Sequence, residues 1–198
     1  MLEYINENYW KQTLNVESIQ IDRLLFFINR FKGKKILHIG CVDGDIFNID
    51  KKSNLHINLI NAGLDIDGLD IRTDLIFEMK KEFPNNVFYS SIKEINKKYD
   101  IVLVPEVLEH VENTRLFLDD IFTIDSEYFF ITVPNCEGLK ANFISNGNIA
   151  IELIHPDHYY WFSAYTLFNI TKKYINNMYN VNMFYLQNKS SVAIEIKK

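Results

Sequence analysis

Apolar side chains along this chain keep two rhythms, one helical and one extended. Ile21, Leu24, Leu25, Ile28 and Phe31 recur at i, i+3, i+4 and i+7, so residues 16–31 read as an amphipathic helix closed by Gly33. KILHIG at 35–40 follows as a short strand ending in a glycine turn. Residues 54–61 read as a weak helix and GLDI at 63–66 as a second short strand. Thr73 or Asp74 is a candidate cap for a helix through Leu75, Met79 and Phe83, with Pro84 just past its end. Residues 87–89 make a third strand. YDIVLV at 99–104 and YFFITV at 128–133 are nearly unbroken apolar runs, as expected of strands covered on both faces of a parallel sheet. A helix is predicted over about 107–121 and another from Ser163, with a less regular stretch at 136–162. Two β-like runs, 181–187 and 191–196, meet at a polar turn.

Strands alternating with helices, then a hairpin, predict an α/β fold with a doubly wound, mostly parallel sheet and a terminal antiparallel hairpin. Residues 1–33 read as an N-terminal helical cap, 34–133 as a ligand-binding core, and 134–198 as an acceptor-side segment with the hairpin. At 198 residues this is one domain by length. Hydrophobic residues make up 47% and charged ones 24%, which excludes a disordered chain. The net charge of −5 argues against work on a nucleic-acid backbone. Two cysteines, Cys41 and Cys136, are too few for a disulfide framework. No leader and no membrane-length apolar run is visible, so the expected location is the cytoplasm.

The first segment with chemistry is ILHIGCVDG at 36–44. A glycine turn after the first strand of such a sheet lets a ligand approach the backbone, yet Gly40 and Gly44 do not fit the G-x-G-x-x-G dinucleotide fingerprint. Asp65 lies 25 residues beyond Gly40, at the expected end of the next strand, where a carboxylate accepts from ribose hydroxyls. An ordinary turn and a surface aspartate are the blander reading. In YDIVLVPEVLEHVEN, Glu106, Glu109 and His110 stand at i, i+3 and i+4, sharing one face if a helix begins there. Two carboxylates and an imidazole bind a divalent cation or move a proton, although acids in a first helical turn also simply favour the helix dipole.

Taken together, five ordered segments resemble the class I S-adenosylmethionine-dependent methyltransferases. ILHIGCVDG resembles their first motif and GLDID at 63–67 their ribose-binding strand. YDIVLVPEVLEHVEN, YFFITVPN and HPDHYYWFSAYTL resemble the branch containing the ubiquinone-pathway O-methyltransferases. The resemblance implies a Rossmann-like, seven-stranded sheet and S-adenosyl-L-methionine held by Gly40, Cys41, Gly44, Asp65, Ile66, Ser91, Pro105 and Glu106. The sequence departs from the pattern at His38, where the family has an acid, at Val42, where it has the middle glycine, and at Ser90-Ser91, where it has an acid near the adenine.

The same resemblance puts His110, His155 and His158 near one pocket mouth, as candidates for positioning the acceptor and taking its proton. It implies an O-methyltransferase for a small, sugar-containing acceptor such as a nucleotide sugar or glycan, because HPDHYYWFS is similar to a segment of glycan-pathway methyltransferases. Glu106, Glu109 and His110 also match the Glu-x-x-Glu-His string of metal-dependent RNA 2′-O-methyltransferases, a resemblance that would add Mg2+ with either His155 or His158 as the later ligand. The acidic balance speaks against RNA, and no dedicated metal site is assigned. A cofactor- or partner-binding pseudoenzyme is the non-catalytic alternative that His38 and Val42 suggest.

Overall fold

The computed structural model describes residues 2–6, 9–42, 53–139, 142–146, 149–177 and 180–198. The chain opens with an antiparallel hairpin, β1 (Leu2–Asn6) and β2 (Tyr9–Gln12), and a two-residue strand, β3 (Glu17–Ser18). Among the described residues before Asp22, the stretch expected to be a helical cap holds these short strands and no helix. That aspartate accepts from the Leu24 and Leu25 amides and starts α1 (Arg23–Phe31), shorter than the periodicity predicts. Then follow β4 (Lys35–Ile39), α2 (Leu55–Asn61), β5 (Asp65–Leu69), α3 (Thr73–Glu82), β6 (Phe88–Tyr89), β7 (Tyr99–Pro105), α4 (Thr114–Ile121) and β8 (Ser126–Pro134). A second small hairpin, β9 (Phe143–Asn146) and β10 (Ile149–Glu152), lies in the stretch read as irregular. After it come α5 (Ala164–Thr171), β11 (Val181–Leu186) and β12 (Ser191–Lys197).

The main sheet runs β3-β11-β12-β8-β7-β4-β5-β6. β4 to β8 pair in parallel, and β12 joins β8 and β11 antiparallel, so the doubly wound sheet with a terminal hairpin is present. The two-residue β3, parallel to β11, adds an eighth strand to the expected seven. Chain order reverses at β4, whose neighbours are β5 and β7. In open α/β sheets the crevice at the carboxyl ends of strands flanking that reversal is where ligands bind.

Successive residues of β7 alternate between two apolar cores, as a strand covered on both faces must. Ile101 and Leu103 join Phe26, Phe27, Phe31, Phe130 and Phe184 on one side. Val102 and Val104 join Phe129, Ile131, Leu167 and Ile194 on the other. Phe31 and Phe130 pack edge to face at 5.5 Å and fix α1 against the sheet. With both faces filled, the carboxyl edge is the part of the sheet left for chemistry.

Candidate active site

At that edge the end of β4 is held by its neighbour. The Gly40 and Cys41 amides both donate to the Leu69 carbonyl, at 2.8 and 3.2 Å. Gly40 takes φ +77°, and a Cβ there would stand 2.5 Å from Val107 Cγ2, so glycine lets the turns after β4 and β7 come together. The residue after Leu69 is Asp70, only 7% exposed. One of its carboxylate oxygens accepts from the Val42 amide at 3.0 Å, the other from the Arg72 amide at 3.0 Å. A carboxylate offers about four lone-pair sites, so each oxygen keeps capacity for a further hydroxyl.

Asp65, the aspartate expected here, opens β5 instead of ending it. It pairs with Lys35 at the amino-terminal edge of the sheet, while Ile66 is buried in the core beside it. The tetrapeptide GLDI occurs twice, at 63–66 and 68–71, and register selects the second copy for the ligand edge. Asp65 therefore does not border the carboxyl edge of the sheet, whereas Asp70 does. Gly44 lies outside the described residues.

A cavity of about 1320 Å³ opens over this edge, lined by Gly40, Cys41, Asp70, Ser91, Pro105 and Glu106 among others. The three histidines His110, His155 and His158 stand along the same cavity. Cys41 is buried, and burial followed by the Asp70 charge pushes its thiol pKa well up, so it packs as a small apolar group. Ser91 caps a short turn, accepting from the Lys93 amide at 3.3 Å.

On the floor, His38 and His56 form a buried pair with Nδ1 atoms 3.1 Å apart. Burial, and for His38 the neighbouring ring as well, drives both imidazoles toward the neutral form, His56 to a pKa of about 3. Neither Nε2 has a hydrogen-bond partner among the described residues.

The chain does not continue from β7 into the expected helix. Glu106 adopts φ 52°, residues Leu108–His110 form one 3-10 turn, and the helix begins only after Asn113 caps the Leu116 amide at 3.1 Å. The three residues of the Glu-x-x-Glu-His string therefore diverge. Glu106 accepts from Thr132 Oγ1 at 2.7 Å and lies 3.6 Å from Arg23. Burial raises its pKa, against the pull of Thr132 and Arg23. Glu109 is 0% exposed, and neither of its oxygens has a hydrogen-bond partner among the described residues. Burial, then the charge of Glu106, pushes its pKa to about 8. His110 points outward. These directions do not build the oxygen-rich octahedron that Mg2+ requires.

His110 instead meets His158 and His155, with ring centroids 4.6 and 5.6 Å away. Backbone bonds make this meeting. The His158 amide donates to the His155 carbonyl at 3.1 Å, tightening the HPDH turn, and the Tyr159 amide donates to the Glu109 carbonyl at 2.8 Å. Tyr160 Oη reaches the Glu112 carbonyl at 2.6 Å. Burial and the two neighbouring imidazoles lower the pKa of His158.

Sheet order, switch-point cavity and aspartate after β5 together make this the fold of the class I S-adenosylmethionine-dependent methyltransferases. The chain is 27% identical, over 129 residues, to the ubiquinone biosynthesis O-methyltransferase of Rickettsia typhi, covering 59% of this chain and 50% of that protein. It thus spans about half the length of the curated relatives it matches. Among solved structures it is similar to the methyltransferase domain of bacterial CtHen1-CN, with TM-score 0.58, 16% identity, and 89% and 98% of the two chains covered. It is also similar to the N-terminal domain of EvdMO1 with S-adenosylhomocysteine and D-fucose, with TM-score 0.54, 16% identity, and 88% and 81% covered. No family model matches the chain. Among the described residues, no helix is long and apolar enough to cross a membrane.

Proposed function

We propose that this protein is an S-adenosylmethionine-dependent O-methyltransferase acting on a small, sugar-containing acceptor. The carrying observation is Asp70, a nearly buried carboxylate with hydrogen-bonding capacity to spare, standing beside the Gly40 turn in the lining of the switch-point cavity. The residues present fit the cofactor, apart from the departures at His38, Val42 and Ser90-Ser91. Asp70 would accept from its ribose hydroxyls, Gly40 and Cys41 would give it backbone to lie against, Ser91 would stand near the adenine, and Pro105–Glu106 near the reactive end. His38 stands where the family has an acid near the methionine part of the cofactor, so a neutral imidazole would stand near that end.

S-adenosylmethionine supplies an activated methyl group on a sulfonium. What the chain must add is alignment of the acceptor hydroxyl and a destination for its proton, and positioning alone provides much of the rate of such displacements. His110, His155 and His158 are the imidazoles in place at the cavity mouth, and a neutral ring nitrogen takes a hydroxyl proton near pH 7. The partner called for is a small molecule. The sugar reading is supported by the structure of EvdMO1 in the presence of D-fucose and by the exposed tyrosines 159 and 160 that follow His158 in the chain, whose flat faces suit a pyranose. With both cysteines free, a reducing compartment such as the cytoplasm suits the chain.

The test is calorimetric titration with S-adenosylhomocysteine, followed by transfer of labelled methyl to a panel of sugars and nucleotide sugars. A micromolar dissociation constant, about −8 kcal/mol, with label appearing on a sugar oxygen is the expected result. No binding by folded protein would overturn the reading. Binding with label going only to RNA would keep the activity and replace the acceptor.

A further inference from the structure

His110, His155 and His158 each offer a ring nitrogen, and those atoms all lie within 4.8 Å of one another. They form a ready ligand set for a cation that prefers nitrogen. A tetrahedral zinc ion holds imidazole nitrogens at about 2.0–2.1 Å, which asks for nitrogen–nitrogen separations of roughly 3.4 Å. Reaching that separation requires the exposed rings of His110 and His155 to turn, and the Tyr159–Glu109 backbone hydrogen bond already ties together the two segments that carry the cluster.

Three further features surround the cluster. His158 Nδ1 is buried and has no hydrogen-bond partner among the described residues, an unusual state for an imidazole not aimed at a ligand. Carboxylates stand just behind two of the rings, Glu109 at 4.0 Å from His110 Nε2 and Asp157 at 4.0 Å from His155 Nδ1. Carboxylates in that position take the second ring N–H of a ligating histidine and orient it. In the ion-free arrangement the Asp157 amide also reaches His155 Nδ1, at 3.3 Å, and that contact yields when the ring turns.

We propose that His110, His155 and His158 form a binding site for one first-row transition-metal ion of the zinc type, with its fourth position open to the cavity. All-imidazole ligation suits zinc and its neighbours and disfavours magnesium. Binding of the ion stands on the cluster alone. Its use rests on the methyltransferase reading: an ion there would acidify a ligated acceptor hydroxyl, where bare imidazoles would accept the proton directly.

The test uses the full chain, free of any affinity tag and stripped with a chelator. Zn2+ titrated by calorimetry is expected to saturate at one ion per chain, and Co2+ in its place to give the intense visible absorption of tetrahedral coordination. His158→Ala and His110→Ala each should weaken Zn2+ binding at least tenfold while S-adenosylhomocysteine affinity stays within twofold. Circular dichroism establishes that each variant is folded. If either is not, His155→Gln, at an exposed position, carries the test with the same tenfold loss expected. Absence of saturable uptake, uptake unchanged in these variants, or displacement of Zn2+ by millimolar Mg2+ would overturn the proposal. Zn2+ binding without S-adenosylhomocysteine binding would sink the methyltransferase reading and leave the metal site standing; the reverse result would do the opposite.

Discussion

At the scale of single residues, the sharpest question is which aspartate meets the cofactor. Asp70→Asn should weaken S-adenosylhomocysteine binding by about 1.5–3 kcal/mol, the worth of a charged hydrogen-bond acceptor, or roughly 10- to 150-fold. Asp65→Asn, at the far edge of the sheet, should leave affinity within twofold. Calorimetry on both variants decides, and a loss confined to Asp65→Asn would reverse the assignment. Local sequence could not make this choice, because both aspartates sit in the same tetrapeptide. What separates them is non-local: the Leu69 carbonyl receives the Gly40 amide, which sets Asp70, and not Asp65, beside the glycine turn. The second copy does carry one sequence signal, since Thr73 and Asp74 begin a helix directly after it.

The His38–His56 pair has a pH consequence of definite sign. Both pKa values are depressed in the folded chain, so below about pH 6.5 the unfolded chain binds protons that the folded chain refuses. Stability is then fully present above pH 6.5 and is lost as pH falls toward the folded values, by about 1.4 kcal/mol per pH unit for each histidine. His56→Asn removes one of these groups, and its melting temperature should fall less steeply than the wild type's between pH 6.5 and 5. Parallel slopes for the two proteins would remove the pair from the acid response.

Among the elements, those set by burial were legible, as was the helix that Ser163 caps, while the turn after β7 and the amino-terminal hairpin were not. Runs at 99–104 and 128–133 are apolar because both faces of β7 and β8 are covered, and the terminal hairpin follows from its polar turn. The helix expected from 107 fails because Glu106 leaves β7 in a left-handed conformation and Asn113, not residue 106, is the cap. That failure matters for the site: Glu109 turns inward and His110 outward. The amino-terminal hairpin was missed for a related reason, since β1 and β2 expose Tyr4, Ile5 and Tyr9 and so lack an alternating pattern to read.

Element docking also rests on one ion pair. Arg30 of α1 donates two hydrogen bonds to Glu195 of β12, at 2.9 and 2.6 Å, and Asn182 of β11 adds a third at 2.9 Å. Because Glu195 is nearly buried while Arg30 is partly exposed, Arg30→Met should cost roughly 2–4 kcal/mol by stranding the carboxylate. The double change Arg30→Met with Glu195→Met should recover most of that loss in a urea titration. Strictly additive losses would mean that the two side chains act independently.

For the molecule as a whole, the sheet separates two tasks. One set of loops, after β4, β5 and β7, forms the side of the cavity that the cofactor reading uses, and the 155–162 segment brings the remaining groups from beyond β8. The two sides are joined by the Tyr159 amide on the Glu109 carbonyl and the Tyr160 hydroxyl on Glu112. Lifting the 155–162 segment must part that amide from its carbonyl and bare it to solvent. The Tyr159 N–H is therefore a clock built into the backbone: the rate at which it trades its hydrogen for deuterium counts how often that segment lifts.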